Sequence, residues 1–398
     1  MDKSQAILLE LLSRSINGKG AEDFLVDKIN QELYQKISTY SCKGILYPTA
    51  SKLSYGNSEA QNIYKDWTTY INKRLMPNLL FIQQISYIIS VFKQASLNPI
   101  IIKGLAISRF YQYPEYRFME DLDLFIYPSE WEDAKKILSI NGYVQEDDDD
   151  YHPMHVKFVK RGHIPIELHS HLIHSGYLGE RATEEWYQHI WLNKNSLSWE
   201  GIEFNALCPS DELINQIIHF AAHFTYYGTR LKHLYEMALI IKSNESNLDW
   251  MYIAETLKTM EFYEFGNLLF CVIKKFFGIN IPELYYTMDK KTVEKFMSNF
   301  LDYFSTERLP TINGYLQILN RYRNIYKYPH LFQLIIWAIA MRSQYKVHGF
   351  DLNYFGAIVK NIKHINRKIY VIRRLKLIPL QSITSHLNKP GNDRNKCN

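Results

Sequence analysis

Two aspartates separated by one residue, Asp121 and Asp123, stand at the start of the apolar run Leu122 to Tyr127. This run predicts a strand, and because successive strand residues point to opposite faces, both carboxylates lie on the same face. Neighbouring carboxylates repel each other unless a cation lies between them. Oxygen ligands of this kind suit Mg²⁺ or Mn²⁺, with phosphate oxygens completing the coordination. The pair therefore predicts a divalent-metal site.

A third acid, Glu167, lies in the apolar sequence Ile164 to His169, which also predicts a strand. Burying a strand carboxylate among apolar neighbours is costly unless a metal ion or another cation pairs with it. Three carboxylates on two neighbouring strands could hold the metal ions that activate an acceptor hydroxyl and stabilise a leaving pyrophosphate. We therefore interpret Asp121, Asp123 and Glu167 as a catalytic and metal-binding set.

Lys103 and Gly104 follow the short apolar run Pro99 to Ile102, which predicts a buried strand that ends in a turn. A glycine before a helix lets the backbone approach a phosphate group closely, and the N-terminus of the helix favours negative charge. Lys103 and Arg117 are the basic side chains placed to neutralise triphosphate charge. We predict that Lys103, Gly104 and Arg117 bind the nucleotide.

Histidines are concentrated around Glu167, at positions 152, 155, 163, 169, 171 and 174. A histidine beside Glu167 could act as a general base or as an additional metal ligand, and His169 is the candidate for that supporting role. A zinc site is a further alternative, although no cysteine lies nearby and the spacing fits no zinc finger. We expect most of the other histidines to be hydrogen-bonded residues of strands and turns.

Residues 98–171 predict elements in the order β-α-β-α-β-β, with a hairpin turn at Arg161-Gly162 between the last two strands. Before this unit the chain predicts helices, including a long one over 58–95 that Pro77 kinks or divides, and a loop over 41–56. Helices predominate again after the unit. The chemistry-bearing residues therefore lie in a compact α/β unit between helical regions.

The candidate residues occur along the chain in the order Lys103-Gly104, Arg117, Asp121-Leu122-Asp123 and Glu167-Leu168-His169. This order resembles the DNA-polymerase-beta-type nucleotidyltransferase superfamily, and within it the bacterial uncharacterised nucleotidyltransferase family. The resemblance implies a small mixed sheet with flanking helices, metal binding by the three acids and nucleotide phosphates at Gly104. It extends from about Pro99 to His174 and continues more weakly over 219–238, which includes Arg230-Leu231 and Glu236.

One departure from the superfamily pattern affects the phosphate-binding turn. The usual Gly-Ser is Gly104-Leu105 in this chain, so the serine hydroxyl that commonly contacts phosphate is missing. Lys103 is the residue placed to compensate for the missing hydroxyl. The departure therefore affects the predicted nucleotide binding more than the predicted metal site. It is the single feature of the sequence that favours a catalytically inactive protein.

The predicted fold class is α+β, with a small mixed-sheet nucleotidyltransferase core flanked by an N-terminal and a larger C-terminal helical region. We place the N-terminal helical region at 1–96, the core at 97–208, the helical C-terminal domain at 209–381 and a disordered tail at 382–398. A basic run without acids, Lys360 to Lys376, is typical either of a solvated helix or of a patch that binds RNA, an acidic substrate or an anionic membrane.

The composition of the chain argues against several classes of protein. A chain of 398 residues that is 46% hydrophobic can bury a large core, which argues against disorder and against a need for disulfides. The 4 cysteines form no CxxC pair, as expected in a reducing compartment. The sequence predicts neither a signal peptide nor a bilayer-spanning run, so we expect a cytoplasmic protein without stable membrane insertion.

These features together predict a metal-dependent nucleotidyltransferase. Such an enzyme moves a nucleoside monophosphate from a nucleoside triphosphate to a hydroxyl or similar acceptor and releases pyrophosphate. The implied cofactor is Mg²⁺ or Mn²⁺, and the acceptor is left open between a small molecule, a peptide, a protein and tRNA. Two alternatives stand beside this prediction: a glycosyltransferase whose Asp-x-Asp motif binds a sugar nucleotide, and a catalytically inactive nucleotidyltransferase-like binding protein.

Overall fold

The computed structural model describes residues 1–301 apart from 27, 54, 147–154, 173–179, 227–229, 261 and 283–287. These described residues belong to one compact unit, which spans Met1–Arg308. The predicted basic run at 360–376 and the predicted tail at 382–398 lie outside the described residues. The predicted domain boundaries stay predictions.

Five helices precede the first strand: α1 Lys3–Asn17, α2 Ala21–Val26, α3 Gln31–Thr39, α4 Lys43–Ala50 and α5 Ser58–Gln94. Helix α1 begins at a capping box, in which the side chains of Asp2 and Gln5 each accept a hydrogen bond from the backbone N–H of the other residue. It ends at Gly18, whose φ of 63° lies in the left-handed region that glycine favours. Local sequence signals therefore set both ends of this helix.

Helix α4 lies where the sequence predicts a loop over 41–56, so that prediction is wrong. Gly44 and Pro48, which favour the loop interpretation, both lie inside the helix. Residues 44–50 are all buried. Tertiary packing of this short segment therefore outweighs the low helix propensity of glycine and proline.

Helix α5 is continuous over 37 residues, and Pro77 lies in its interior without dividing it. It contacts α3 and α4, and its side chains Trp67 and Phe92 are fully buried. Among the described residues, α5 is the one helix whose length and composition would allow it to cross a bilayer. The core helices of globular proteins meet the same criterion, so it carries little weight by itself.

In the described part of the chain, seven strands form one sheet: β1 Ile100–Ile102, β2 Leu122–Phe125, β3 Val144–Gln145, β4 His155–Val159, β5 Ile166–His169, β6 Asn195–Trp199 and β7 Ile202–Ala206. Their order across the sheet is β3-β4-β5-β2-β1-β7-β6. Strand β2 pairs parallel with β5 and β1 pairs parallel with β7, whereas the other neighbours are antiparallel. The predicted α+β class with a mixed sheet is therefore confirmed.

The described connections between the strands contain α6 Gly104–Ser108, α7 Trp131–Ile140 and α8 Glu180–Asn193. From β1 to β5 the observed order is β-α-β-α-β-β-β. Five described helices follow the sheet: α9 Pro209–Tyr226, α10 Leu231–Ser243, α11 Trp250–Thr259, α12 Tyr263–Phe277 and α13 Lys290–Asn299. Helix α1 contacts α10 and α12, and Asn17 donates a hydrogen bond of 2.7 Å to the carbonyl of Phe277. The helices before and after the sheet therefore pack against each other.

The two faces of the central strands differ in chemistry. One face is buried in a hydrophobic cluster with side chains of α5 and α7, and β2 and β5 contribute Leu122, Leu124, Ile166 and Leu168 to it. Because strand residues alternate, Asp123 and Glu167 point to the opposite face. The apolar residues of these strands thus fix which face carries the acids.

Candidate active site

The three carboxylates of the candidate site come from the parallel pair of β2 and β5. Asp123 and Glu167 are register partners across this pair, and Asp121 lies two residues before Asp123. All three side chains therefore lie on the same side of the sheet. Asp123 is buried, whereas Asp121 and Glu167 are partly exposed. The structure brings together the three acids that the sequence singles out.

Lys103 pairs directly with one of these acids. Strand β1 is antiparallel to β2 with Ile102 opposite Asp123, so Lys103 leaves the strand beside the carboxylates. Its Nζ donates a hydrogen bond of 3.0 Å to Oδ1 of Asp123. The φ of Lys103 is 56°, a conformation that glycine adopts far more readily, and such backbone strain often occurs at functional sites. This turn holds the ammonium group against the acids.

His169 connects two of the acids from the end of β5. Its Nε2 lies 2.8 Å from Oδ1 of Asp123 and 3.5 Å from Oε2 of Glu167. Burial alone lowers the pKa of His169, but the hydrogen bonds to Asp123 and Glu167 outweigh burial and raise that pKa. The geometry therefore favours an imidazolium that neutralises part of the carboxylate charge.

The pKa values of the partners reflect the same contacts. Burial raises the pKa of Asp123, but the ammonium of Lys103 and the hydrogen bond from His169 outweigh it and hold this pKa well below its usual range. Burial also raises the pKa of Glu167, but the hydrogen bond from His169 and the charges of His155 and His169 together outweigh burial, so this pKa is lowered. Asp123 and Glu167 are therefore ionised at neutral pH.

Asp121 behaves differently from the other two acids. Burial, followed by the negative charges of Asp123 and Glu167, raises the pKa of Asp121 to about 7. Lys103 lowers this pKa but does not cancel the effect of burial and like charge. The cluster therefore holds more carboxylate than Lys103 and His169 can neutralise.

The donor atoms and the negative charge of these carboxylates decide whether a divalent cation fits the site. Asp121, Asp123 and Glu167 offer oxygen ligands, which Mg²⁺ and Mn²⁺ prefer. A cation between them would also remove the repulsion that raises the pKa of Asp121. The donor chemistry of these three residues therefore fits a divalent metal ion.

His155 is a neighbour of the acids that the sequence does not assign to the site. It lies opposite His169 in the antiparallel pair β4–β5, with the two ring centroids 4.9 Å apart. Its Nε2 lies 3.7 Å from Oε2 of Glu167. His155 and His169 are each seven residues from Gly162, so a turn centred on Gly162 alone, rather than on the pair Arg161-Gly162, would have revealed this position.

Gly104 begins α6 directly after Lys103, as the sequence predicts. Its φ is 24°, and a β-carbon added to it would lie 3.7 Å from the carbonyl oxygen of Asp121. Leu105, which replaces the usual serine, is completely buried in the hydrophobic core. The side chain after Gly104 therefore stabilises the fold, and Lys103 is the polar side chain that this turn directs at the acids.

Arg117 lies in a contact that the sequence does not predict. Its Nε donates a hydrogen bond of 3.0 Å to Oε1 of Glu236 on α10, and both side chains are buried. The hydroxyl of Tyr111 donates to the same oxygen at 2.9 Å. This geometry gives Arg117 a structural contact between the candidate site and α10, and its predicted role in nucleotide binding stays a prediction.

Asn78 on α5 holds the segment that leads into Asp121. Its side-chain amide donates to the carbonyl of Glu115 at 3.0 Å, and its side-chain oxygen accepts from the backbone N–H of Met119 at 2.9 Å. Asn78 is buried, so these hydrogen bonds are shielded from water. The sequence gives no signal for this contact, because Asn78 is distant along the chain and follows Pro77 inside a long helix.

Comparison with known families identifies the chain. A model of the family described as uncharacterised nucleotidyltransferase matches residues 30–278, which is more than half of the chain. The chain belongs to this family. The family match confirms the resemblance stated from the order of the candidate residues, and the matched span contains all of them. Membership of the uncharacterised nucleotidyltransferase family supports a transferase. A comparison with curated proteins finds no match.

A solved structure similar to this chain is an antigenic nucleotidyltransferase-like protein from Paracoccidioides brasiliensis. The sequence identity is 13%, and the alignment covers 51% of this chain and 95% of that protein, with a TM-score of 0.31. A likeness at this TM-score adds nothing to the family match, so we base no statement about the site on it.

Proposed function

We propose that this member of the uncharacterised nucleotidyltransferase family transfers a nucleoside monophosphate from a nucleoside triphosphate to a hydroxyl or similar acceptor. In this reaction a bond forms between the acceptor oxygen and the α-phosphorus. The bond from the α-phosphorus to the bridging oxygen breaks, and pyrophosphate leaves with that electron pair. The observation that carries the proposal is the register pairing of Asp123 with Glu167, which places three acids together beside Lys103.

Each residue of the site has a distinct part in this proposal. Asp121, Asp123 and Glu167 would hold Mg²⁺ or Mn²⁺, and such an ion, when bound, supplies positive charge that stabilises the phosphate groups. Lys103 neutralises triphosphate charge, and the backbone at Gly104 approaches the phosphates closely. Glu167 either completes the set of acids or accepts the proton of the acceptor hydroxyl.

The ligand-free contacts of Lys103 and His169 support this assignment. Both side chains supply positive charge to the acids, at 3.0 Å and 2.8 Å from Oδ1 of Asp123. A divalent cation held by the carboxylates would take over this neutralising role and leave Lys103 available to the triphosphate. His169 then remains as the supporting side chain beside Asp123 and Glu167.

The experiment uses the full-length protein and separates nucleotide binding from transfer. Each of the four ribonucleoside triphosphates, labelled at the α-phosphate, is tested for binding by equilibrium dialysis with Mg²⁺, with Mn²⁺ and with a chelator. Pyrophosphate release is then measured with three acceptor pools: a small-molecule extract, a peptide mixture and total tRNA. We expect metal-dependent binding of at least one triphosphate, and pyrophosphate release with one pool.

Variants of two site acids and of one control aspartate test whether the acids are required for the reaction. Asp121→Asn and Asp123→Asn are expected to lower pyrophosphate release at least about 100-fold, because each removes a charged oxygen ligand. Asp133→Asn, which changes an exposed aspartate on α7, should leave it unchanged. Full activity in both site variants would overturn the proposal.

The two alternative functions give different results in the same experiment. Binding of sugar nucleotides without binding of triphosphates would favour the glycosyltransferase and overturn nucleotide transfer. Triphosphate binding without pyrophosphate release in any pool would favour a catalytically inactive binding protein and would equally overturn the proposed transfer.

A further inference from the structure

We propose that His155, Glu167 and His169 form a binding site for a first-row transition metal ion, with two nitrogen ligands and one oxygen ligand. The candidate donor atoms of these three residues lie within 4.8 Å of one another. The site goes beyond the proposed function, because it requires no nucleotide and its two histidines are not among the three acids assigned to Mg²⁺ or Mn²⁺.

The β4–β5 hairpin fixes the positions of these donors. His155 and His169 are register partners across the antiparallel pair, and Glu167 lies two residues from His169 on the same strand. All three side chains therefore share one face. Strand pairing, rather than a mobile loop, sets the separation of the two imidazoles, so the donors are positioned before a metal ion arrives.

The distances between the donor atoms suit one small cation. Oε2 of Glu167 lies 3.5 Å from Nε2 of His169 and 3.7 Å from Nε2 of His155. Two ligands that each lie about 2.1 Å from a tetrahedral metal ion are separated by about 3.4 Å. The two separations from Glu167 are therefore within a few tenths of an ångström of that value, and the donor nitrogens of the two histidines lie within 4.8 Å of each other.

The chemistry of the donors selects the class of metal. Imidazole nitrogen suits zinc, copper, iron and nickel, whereas Mg²⁺, Ca²⁺ and Mn²⁺ prefer oxygen ligands. Two histidines with one carboxylate also leave coordination positions open for water or another ligand. The three side chains are 14%, 19% and 6% exposed for His155, Glu167 and His169, so an ion can reach them while most of the site stays dry.

Asp123 supports the site from the neighbouring strand. Its Oδ1 lies 2.8 Å from Nε2 of His169, the same atom that faces Glu167. A cation bound to Nε2 takes the place of the ring hydrogen and faces both carboxylates. Asp123 therefore lies where it can contribute a further oxygen ligand.

The test is a titration of the metal-free full-length protein with Co²⁺, without nucleotide. Cobalt bound to histidine nitrogen gives visible absorption bands that report its ligands and geometry. We expect binding of one Co²⁺ ion, displacement of it by Zn²⁺, and no displacement by Mg²⁺ at the same concentration. His155→Gln and His169→Gln should each weaken Co²⁺ binding by at least roughly ten-fold.

A matched control and a second variant keep the result interpretable. His163→Gln changes a histidine at the turn of the same hairpin, away from the paired ends of β4 and β5, and should leave the titration unchanged. Circular dichroism shows whether each variant is folded, and His155→Asn replaces His155→Gln if that variant is not. Unchanged Co²⁺ affinity in a folded His155 variant, or equal competition by Mg²⁺, would overturn the proposal.

Failure of this proposal can be distinguished from failure of nucleotide transfer. Asp121→Asn removes an acid assigned to the nucleotide-bound metal but leaves the three proposed donors in place, so it should retain the cobalt spectrum. A protein that binds Co²⁺ normally and no triphosphate would support the histidine site alone. A protein that transfers nucleotides but lacks the cobalt spectrum would support the proposed function alone.

Discussion

The ammonium nitrogen of Lys103 lies 3.0 Å from Oδ1 of Asp123. The basic residue predicted to bind triphosphate is thus paired, in the ligand-free protein, with an acid predicted to bind metal. Asp123 is 4% exposed and Lys103 is 19% exposed, so water screens the pair weakly. A substitution at either residue of this pair should therefore change the stability of the folded protein.

Replacing Lys103 with methionine should destabilise the ligand-free protein at neutral pH. The variant leaves Asp123 buried without its main counter-charge, and breaking a buried ion pair in this way costs roughly 3 kcal/mol. The difference from wild type should shrink below about pH 4, because Asp123 is then protonated in the variant and needs no partner. Urea unfolding at several pH values measures this difference in the free energy of unfolding.

Lys103→Arg is the matched control for this prediction, because it keeps the positive charge beside Asp123. It should lose much less stability than Lys103→Met. Equal loss in both variants at every pH would show that packing, rather than charge, accounts for the effect.

Replacing Asp121 with asparagine should stabilise the metal-free protein as the pH rises. The folded pKa of Asp121 is raised to about 7 from an ordinary value of 3.8. A raised carboxyl pKa means that the folded state holds the proton more tightly, so wild-type stability falls between these two pH values and stays low above 7. The advantage of Asp121→Asn should grow by up to about 1.4 kcal/mol per pH unit within that window.

Thermal unfolding of chelator-treated protein between pH 4 and pH 8 measures this advantage. The control Asp133→Asn, which alters an exposed aspartate, should follow wild type throughout. A stability difference that does not change with pH would contradict the role of like-charge repulsion at Asp121.

Breaking the buried pair of Arg117 and Glu236 should destabilise the fold. Arg117→Met leaves the Glu236 carboxylate with the Tyr111 hydroxyl and with the more distant Lys232 ammonium, 3.9 Å from Oε1, at a cost of about 3 kcal/mol. The double variant Arg117→Met/Glu236→Leu should be more stable than Arg117→Met alone, because the buried carboxylate is removed together with its main partner and only the partly exposed Lys232 ammonium remains. Urea denaturation of the single and double variants tests this order.

Triphosphate binding by the same double variant tests the predicted second role of Arg117. Wild-type affinity would show that Arg117 acts only as a structural residue. A loss of affinity in a folded double variant would support its assignment to nucleotide binding.

Replacing Gly44 with alanine should weaken the packing behind the candidate site. A β-carbon at this position would collide with the carbonyl oxygen of Tyr116, the residue that precedes Arg117. Overpacking of this kind typically costs about 1–3 kcal/mol. Gly56→Ala is the control, because an added β-carbon there meets no atom within 4 Å. Equal melting temperatures for the two variants would contradict the close approach of α4.

Local patterns predicted the elements that carry the acids. The spacing of Asp121 and Asp123 placed both on one face because strand periodicity needs no information from distant residues. Local patterns predicted a loop at α4, and this was wrong because the burial of residues 44–50 stabilises a helix in a segment rich in residues that favour turns. They also predicted no strands between His171 and Pro209, where β6 and β7 extend the sheet beyond β1.

Contacts between distant parts of the chain decided how the site is assembled. The sequence by itself determined which residues have the chemistry of a nucleotidyltransferase site and their order, since residue types and short spacings are local properties. Only the tertiary structure decided that β2 pairs in parallel with β5, which sets Asp123 beside Glu167. It also decided that Arg117 contacts Glu236 and that His155 faces His169, because strand pairing and helix packing join residues that no short pattern connects.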